Sequence, residues 1–298
     1  MSMQNKLING REIAGKIKQE LKADIEDLKS HGVIPGLVAV LVGDDPASHL
    51  YVNSKAKTAR KLGLYSEVIK RDANISRDDL VKIVSELNNR DDIHGILVQS
   101  PLPDHINEMD ITLTMDPLKD VDAFHPLNMG HLLIGEPIFL PCTPFGVIKM
   151  IEDIGVDPKG KKVVVLGRSN IVGKPLAAML MQKWQGCNAT VTVCHTGTAN
   201  IPGETIQADI IIAAIGKANF VTADMIKKGA IIIDVGQNQV EDKNSPKGYK
   251  LCGDVDFDAC LEKAAMITPV PGGVGPMTIA MLMYNTVRAA RLKLSYSN

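Results

Sequence analysis

Apolar and polar positions follow helical and strand patterns in turn along the first third of the chain. Apolar residues recur at three- and four-residue steps over 11–28, which predicts an amphipathic helix. The run LVAVLVG at 37–43 predicts a buried strand, and a helix over 47–62 is expected to end at a left-handed Gly63. Two more strands are expected at 66–70 and 94–99, separated by a helix that begins at the capping-box pair Ser76 and Asp79. Strands that alternate with helices predict a parallel sheet.

The alternation stops over 100–142 and then resumes. This middle stretch is rich in Pro, Asp and Asn, and it predicts a long, functional loop. TPVPGGVGP at 268–276 is too rich in Pro and Gly for regular structure. Strands are expected at 162–167, 189–194, 209–215 and 230–235, and helices at 144–154, 174–184, 222–228 and 277–294. The pattern predicts two α/β units joined near residue 150.

Composition narrows the class of protein. The 298 residues suggest two domains at ~150 residues each. With 33 Lys and Arg against 34 Asp and Glu, the net charge of −1 argues against a dedicated nucleic-acid or membrane-surface binder. Five cysteines without a C-x-x-C pair argue against disulfides and against a metal site. MSMQNKLING lacks the apolar stretch of a signal peptide, so we expect a cytoplasmic location, although an organelle is not excluded.

The segment KKVVVLGRSNIVGKP at 161–175 is a candidate nucleotide site. It places an apolar strand, Gly167, Ser169 and Gly173 ahead of a helix, whose free N–H groups can bind phosphate. Because these glycines are six apart and do not form G-x-G-x-x-G, an ordinary strand-to-helix turn is the alternative.

The end of the next strand favours NADP over NAD. An NAD site normally has Asp or Glu about 20 residues after the glycines, but TVTVCHTGTAN at 190–200 contains no carboxylate. Arg168, His195 and Thr196 could instead surround a 2′-phosphate. The alternative is that Arg168 is a solvated turn residue and His195 caps the strand end.

A second group of residues suggests acid–base chemistry. Tyr51 and Lys55 are four apart and project from one helix face, while Gln99 ends a buried strand. Asp120 and Asp122 lie in the loop KDVDAF. None of these features is specific by itself: a basic helix patch is more often a solvated face, and aspartates in such a loop often stabilise a turn.

Six segments, in this order, carry a specific resemblance. They are DDPASHLYVNSKAK, GILVQSPLPDHIN, KDVDAFHPLNMG, FLPCTPFGV, GRSNIVGKP and TPVPGGVGPMT. From about residue 5 to 292 the chain resembles the bifunctional methylenetetrahydrofolate dehydrogenase/methenyltetrahydrofolate cyclohydrolase family.

The resemblance implies a two-domain α/β fold with a cleft between the domains. It implies a parallel-sheet folate-binding domain at 1–147 plus 277–298 and a Rossmann-type NADP-binding domain at 148–276. A homodimer and a small-molecule folate substrate are implied, with neither nucleic acid nor membrane as a partner.

Residue roles also follow from the resemblance. It implies that Lys55 is the acid–base group of the cyclohydrolase step, that Gln99 tunes it, that Tyr51 stacks on the substrate and that Asp122 binds the pterin. A loop closing over the folate is implied for Gly272, Gly273 and Pro276. The implied cofactor-binding residues are Gly167, Arg168, Ser169, Gly173, His195, Thr196 and Gln237.

Four residues depart from the family pattern. Ala123 replaces a glycine, Ser100 a common leucine, Gly197 a frequent lysine and Gln237 the usual isoleucine near the nicotinamide. The alternatives to a bifunctional enzyme are a family member with dehydrogenase activity only, or a catalytically silent NADP-binding protein.

Overall fold

The computed structural model describes residues 6–242, 245 and 248–297. The ends of the predicted first domain, 1–5 and 298, lie outside the described residues. The chain forms two compact units: one comprises Met1–Ala14 and Thr143–Thr278, and the other comprises Gly15–Cys142 and Ile279–Asn298. We call them the five-stranded unit and the three-stranded unit, after the parallel sheet that each contains.

The three-stranded unit has a sheet whose central strand is β1, with β2 and β3 on either side, all parallel. Every residue of β1 is buried, which accounts for its continuous apolar run. The elements are α1 (Gly10–Ser30), β1 (Gly36–Val42), α2 (Pro46–Leu62), β2 (Tyr65–Arg71), α3 (Arg77–Asn88), β3 (Gly95–Val98), α4 (Glu108–Thr114) and α5 (Pro126–Ile134).

Local signals set the ends of α2 and α3 as the sequence predicts. Asp45 caps α2 by accepting the Ser48 N–H at 2.8 Å, and Gly63 ends the helix at φ 87°. The Ser76 hydroxyl accepts the Asp79 N–H at 3.1 Å and begins α3. The predicted end of α2 at Gly63 and the predicted start of α3 at Ser76 are confirmed; the Asp45 cap was not predicted.

The prediction of one long loop over 100–142 is wrong, because α4 and α5 lie within it. Asn107 caps α4 through the Met109 N–H at 2.9 Å, and His125 Nδ1 accepts the Leu127 N–H at 3.1 Å to begin α5. The two helices have only 7 and 9 residues, too few turns for an apolar periodicity to stand out.

The five-stranded unit contains a parallel sheet in the order β10-β7-β6-β4-β5. The predicted parallel arrangement is confirmed. Its elements are α6 (Cys142–Asp153), β4 (Lys162–Leu166), α7 (Gly173–Leu180), β5 (Thr190–Cys194), α8 (Ile201–Thr205), β6 (Ile210–Ala213), β7 (Ile231–Asp234), β8 (Asn238–Glu241), β9 (Tyr249–Cys252), α9 (Phe257–Lys263) and β10 (Met266–Ile267). The last helix, α10 (Val274–Ser297), begins in this unit and belongs to the three-stranded unit from Ile279 onward. From β4 the chain moves outward to β5 and then returns to β6 on the other side. The order therefore reverses between β4 and β6, which is where open α/β sheets bind dinucleotides.

Three predicted elements differ in extent. The helix expected at 222–228 is a single 3₁₀ turn at Ala223–Met225, because Ile226 is already extended. The helix expected at 174–184 ends at Leu180. The last helix begins at Val274, inside the stretch expected to be irregular, since proline is tolerated in the first turn of a helix.

The compact units also divide the chain differently from the predicted domain boundaries. Described residues 6–14 and residues 143–147 belong with the five-stranded sheet. Leu7 forms a β-bridge with Ile267, and the Ile8 N–H donates to the Ile267 carbonyl at 2.9 Å. Residues 7 and 8 thus pair in parallel with β10 at the edge of the five-stranded sheet.

Candidate functional site

Lys55 is a buried cation at the centre of the first candidate cluster. Only 5% of the residue is exposed, on the inner face of α2. Its Nζ donates to Gln99 Oε1 at 3.0 Å, just beyond the carboxyl end of β3. The Tyr51 ring, one helical turn earlier, has its centroid 5.2 Å from the same Nζ. The structure thus brings Gln99 to the Tyr51–Lys55 pair, which the sequence had placed on one helix face without a partner from another element.

Asp122 joins this cluster through Cys142, which the sequence analysis did not single out. Burial, and then the nearby Asp122 carboxylate, raises the pKa of the Cys142 thiol, while the charge of Lys55 opposes the shift. Cys142 therefore lies beside both charged groups. The segment FLPCTPFGV contained this residue, but a lone cysteine gives no signal of what it faces.

The main chain before Asp122 is held by two other buried side chains. The Cys142 thiol donates to the Val121 carbonyl at 3.3 Å, and Asn285 Nδ2 donates to the same oxygen at 2.7 Å. Ala123, immediately after Asp122, is buried and has φ 61°, a left-handed conformation that glycine adopts at less cost. The glycine that is usual at this position thus suits the observed backbone.

Asp120 stabilises the turn before α5, as the alternative interpretation of this loop predicted. Its Oδ2 accepts the His125 N–H at 2.7 Å and Asn128 Nδ2 at 2.9 Å, next to the start of α5. Burial raises the pKa of Asp120 to about 6, even though these hydrogen bonds favour the ionised form.

The second cluster is the turn between β4 and α7. Gly167 has φ 111°, and a Cβ there would lie 2.1 Å from the Ala214 carbonyl oxygen. A Cβ on Gly173 would lie 2.2 Å from the Gly167 oxygen. Ser169 Oγ accepts the N–H groups of Val172 at 3.2 Å and Gly173 at 3.4 Å. Only glycines permit this close packing of the backbone at the start of α7.

His195 and its neighbours follow β5 on the adjacent side of this turn. His195 Nδ1 accepts the Gly197 N–H at 3.0 Å, so a neutral ring carries its proton on Nε2. A Cβ on Gly197 would lie 3.1 Å from His195 Cε1, so a lysine there would require a small shift of the ring. Arg168 and Thr196 are exposed at the same edge of the sheet.

The remaining predicted site residues also lie in the five-stranded unit. Gln237 is exposed just after β7. Gly272 has φ 110°, and a Cβ on Gly273 would lie 2.6 Å from the Pro269 oxygen. Pro276 is in the first turn of α10. In the five-stranded unit, then, the predicted site residues lie in loops or in the first turn of a helix, whereas Tyr51 and Lys55 of the three-stranded unit lie within α2.

The sequence analysis missed two buried aspartates that accept hydrogen bonds from loops of this unit. Asp234, at the end of β7, accepts the backbone N–H groups of Gly236, Asp254 and Val255 at 2.9, 3.0 and 2.9 Å. Burial raises the pKa of Asp234 to about 6. Asp254 is fully buried and accepts four hydrogen bonds from the neighbouring loops. Buried acids next to glycines, in DVG and GDVD, were the available signal.

In the described part of the chain, no group of three or more His, Cys, Asp or Glu residues could hold a metal ion. None of its helices has the length and apolar character needed to cross a membrane.

The fold and the two clusters define an α/β enzyme with a buried lysine site in one unit and a dinucleotide-type turn in the other. A family model described as the tetrahydrofolate dehydrogenase/cyclohydrolase catalytic domain matches residues 8–122, and one described as the NAD(P)-binding domain matches residues 141–294. The chain belongs to the tetrahydrofolate dehydrogenase/cyclohydrolase family.

Individual relatives extend over nearly the whole chain. The "Bifunctional protein FolD" of Syntrophus aciditrophicus is 55% identical over 286 residues, covering 96% of this chain and 97% of that protein. The crystal structure of bifunctional FolD from Campylobacter jejuni has a TM-score of 0.90 at 46% identity and covers 96% of this chain and 99% of its own. The Trypanosoma brucei enzyme, complexed with NADP and an inhibitor, has a TM-score of 0.92 at 38% identity, with 97% and 98% covered.

The expectations about family, fold class and enzyme class are thereby confirmed. The chain is a bifunctional folate enzyme with dehydrogenase and cyclohydrolase activity, and its second matched region is an NAD(P)-binding domain.

Proposed function

We propose that the chain oxidises 5,10-methylenetetrahydrofolate to 5,10-methenyltetrahydrofolate with NADP and hydrolyses that product to 10-formyltetrahydrofolate. The observation that carries this proposal is the buried Lys55 amino group, whose Nζ lies 3.0 Å from Gln99 Oε1 and one helical turn from Tyr51. Burying a lysine is costly, and a site that retains one beside a flat aromatic ring is suited to proton transfer on a planar substrate.

Lys55 acts as the acid–base group of the hydrolytic step. Water adds to the methenyl carbon and loses a proton, and opening of the ring places a proton on the departing nitrogen. The neutral Lys55 amine can accept the first proton, and the ammonium so formed can deliver it to the nitrogen. Gln99 positions it: the amide oxygen accepts one N–H, and Gln99 Nε2 is itself anchored to the Ser100 carbonyl at 2.7 Å.

Tyr51 and Asp122 bind the folate. The Tyr51 ring offers a face on which the pterin can stack. The Asp122 carboxylate accepts hydrogen bonds from the pterin amino and ring N–H groups, because an ionised carboxylate is an acceptor only. The loop containing Gly272, Gly273 and Pro276 covers the bound folate.

The turn between β4 and α7 binds NADP, which supplies the hydride acceptor when bound. Gly167 and Gly173 allow the turn to pack tightly against neighbouring backbone, which places it directly before the start of α7, where a helix N-terminus favours phosphate. Ser169 orients the turn, and Gln237 lies at the carboxyl end of β7, near the nicotinamide. Arg168, His195 and Thr196 contact the 2′-phosphate, with Arg168 as its cationic partner in the absence of a basic residue at 197.

The role of Lys55 is tested by Lys55→Met, with Lys57→Met as the matched control on the exposed face of the same helix. We expect hydrolysis of methenyltetrahydrofolate to fall at least ~100-fold, since general acid–base catalysis typically contributes that much. NADP binding and the unfolding transition should not change. Full hydrolysis by Lys55→Met would contradict the assignment.

The cofactor preference is tested by titrating NADP and NAD into the wild type and Arg168→Ala, with Lys159→Ala, in an exposed turn, as the control. We expect NADP to bind more tightly than NAD. We expect Arg168→Ala to weaken NADP about tenfold, the loss of one charged hydrogen bond, with NAD affected little. Equal affinities of the wild type for the two cofactors would refute the preference.

The two alternatives to a bifunctional enzyme predict different products in an assay of both reactions. A dehydrogenase-only enzyme would release methenyltetrahydrofolate without hydrolysing it, and a silent NADP-binding protein would do neither reaction. The intact Lys55–Gln99 hydrogen bond supports the bifunctional reading. We further propose a homodimer in the cytoplasm, with sedimentation velocity as the test of its oligomeric state.

A further inference from the structure

We propose that Asp254 is the positioning residue of the NADP site: its carboxylate holds the loop after β6 against the glycine turn. The proposal rests on the proposed NADP-binding function of the five-stranded unit. It concerns a residue that contacts only protein and acts through the backbone.

The first observation is the set of groups that Asp254 binds. Oδ2 accepts the N–H groups of Ile215 at 2.6 Å and Gly216 at 2.9 Å, and Oδ1 accepts that of Lys217 at 2.9 Å. Three consecutive amides therefore converge on one side chain. Without it, these amides would lack an acceptor, because they lie beyond the last residue of β6 and outside the sheet.

The same carboxylate connects a second loop. Asn238 Nδ2, at the start of β8, donates to Asp254 Oδ1 at 2.9 Å, and a Cβ on Gly236 would lie 2.2 Å from that oxygen. The backbone around Gln237 is thus tied to the backbone after β6. Asp234, at the end of β7, fixes the backbone of Asp254 by accepting its N–H at 3.0 Å.

The loop that Asp254 holds lies at the part of the sheet where a cofactor is expected to bind. The loop after β6 and the turn after β4 flank the point where the strand order reverses. They touch each other there: a Cβ on Gly167 would lie 2.1 Å from the Ala214 oxygen, and the Ala214 N–H donates to the Leu166 carbonyl at 2.9 Å. Displacing 215–217 would therefore disturb the glycine turn through the adjoining Ala214.

A loop held in its binding conformation loses little entropy when ligand arrives. Four hydrogen bonds to one carboxylate impose that conformation in advance. In Asp254→Asn, one oxygen becomes an NH₂ group that faces N–H donors, so at least one pair of these contacts is lost and the loop is released.

The test compares Asp254→Asn with Asp256→Asn, the same change two residues along. Asp256 caps α9 through the Ala259 N–H at 3.3 Å and has no contact with the loop after β6 among its hydrogen bonds. Three properties are measured on each full-length protein: the NADP Kd by calorimetry, amide hydrogen exchange of 215–217, and hydrolysis of methenyltetrahydrofolate, which consumes no NADP.

We expect Asp254→Asn to raise the NADP Kd at least about tenfold, the equivalent of one or two lost charged hydrogen bonds. Exchange at 215–217 should become faster, while hydrolysis stays within about twofold of the wild type, since Lys55 and Gln99 belong to the other unit and, in the described part of the chain, have no hydrogen bond to Asp254. Asp256→Asn should leave the NADP Kd unchanged. Should Asp254→Asn fail to fold, Asn238→Ala removes only the amide donor and should raise the NADP Kd by a smaller factor.

An unchanged NADP Kd in a folded Asp254→Asn protein would overturn the inference, and so would an equal rise in Asp256→Asn. If Asp254→Asn is unfolded, an unchanged Kd in Asn238→Ala would overturn it. Failure of the wild type to bind NADP at all would instead refute the proposed function of this unit.

Discussion

Lys119 directs its ammonium at the carbonyl oxygens that end α3. Nζ donates to the carbonyls of Leu87 at 3.2 Å, Asn88 at 2.7 Å and Arg90 at 2.7 Å. Burial lowers the pKa of Lys119, but the three acceptors and the negative end of the helix dipole compensate for part of that cost. Lys55 is buried to a similar degree, yet its Nζ donates to the side chain of Gln99, just beyond the end of a strand. The two buried lysines thus differ in their acceptors: Lys119 donates to backbone carbonyls, and Lys55 donates to a side-chain amide.

We expect Lys119→Met to lower the free energy of unfolding by about 2–4 kcal/mol, because buried carbonyls would lose their charged donor. Urea titration measures this, with Lys82→Met on the exposed face of α3 as the control. Both activities per folded molecule should persist. A specific loss of hydrolysis at full stability would place Lys119 in the reaction instead.

At the scale of elements, α5 is a short helix with clear ends. Its first turn begins at His125, and Gly135 ends it at φ 88°. Gly130 lies in its middle, exposed, and a Cβ there would meet nothing within 4 Å. The two glycines therefore have opposite requirements: one is a weak point in the helix, and the other is needed for its termination.

Gly130→Ala should raise the free energy of unfolding by about 0.5–1 kcal/mol, since alanine restricts the unfolded chain and favours helix. Gly135→Ala should lower it by about 1 kcal/mol, because an L side chain is strained at positive φ. Thermal unfolding of the two variants measures both shifts, and shifts of the same sign would contradict this account of α5.

At the scale of the whole molecule, buried titratable groups determine how stability depends on pH. Burial, followed by the positive charges of Lys293 and Lys119, lowers the pKa of His94 to about 4. Its Nδ1 accepts the Gly36 N–H at 3.1 Å, which favours the neutral ring. The unfolded chain takes up a proton near pH 6.5 and the folded protein does not, so this contribution is lost as pH falls towards 4. Asp120 and Asp234, with raised pKa values, contribute in the opposite direction.

His94→Asn isolates the histidine, because the asparagine oxygen can accept the same N–H. We expect wild-type stability, measured relative to this variant, to fall by roughly 2 kcal/mol between pH 7 and pH 4, with allowance for partial solvation of the ring. Urea unfolding at the two pH values measures the difference. The same difference at both pH values would show that His94 does not contribute to acid unfolding.

The sequence by itself determined the alternation of strands and helices, the caps at Ser76 and Gly63, and the family, because these depend on neighbouring residues and on ordered segments. It could place Tyr51 and Lys55 on one helix face, since that relation has a fixed spacing. Tertiary structure alone decided that Lys55 meets Gln99, 44 positions away, and that Cys142 lies beside Asp122. It alone joined Asp254 to the loop after β6. Contacts between distant segments depend on how sheets and helices pack, and no local periodicity records them.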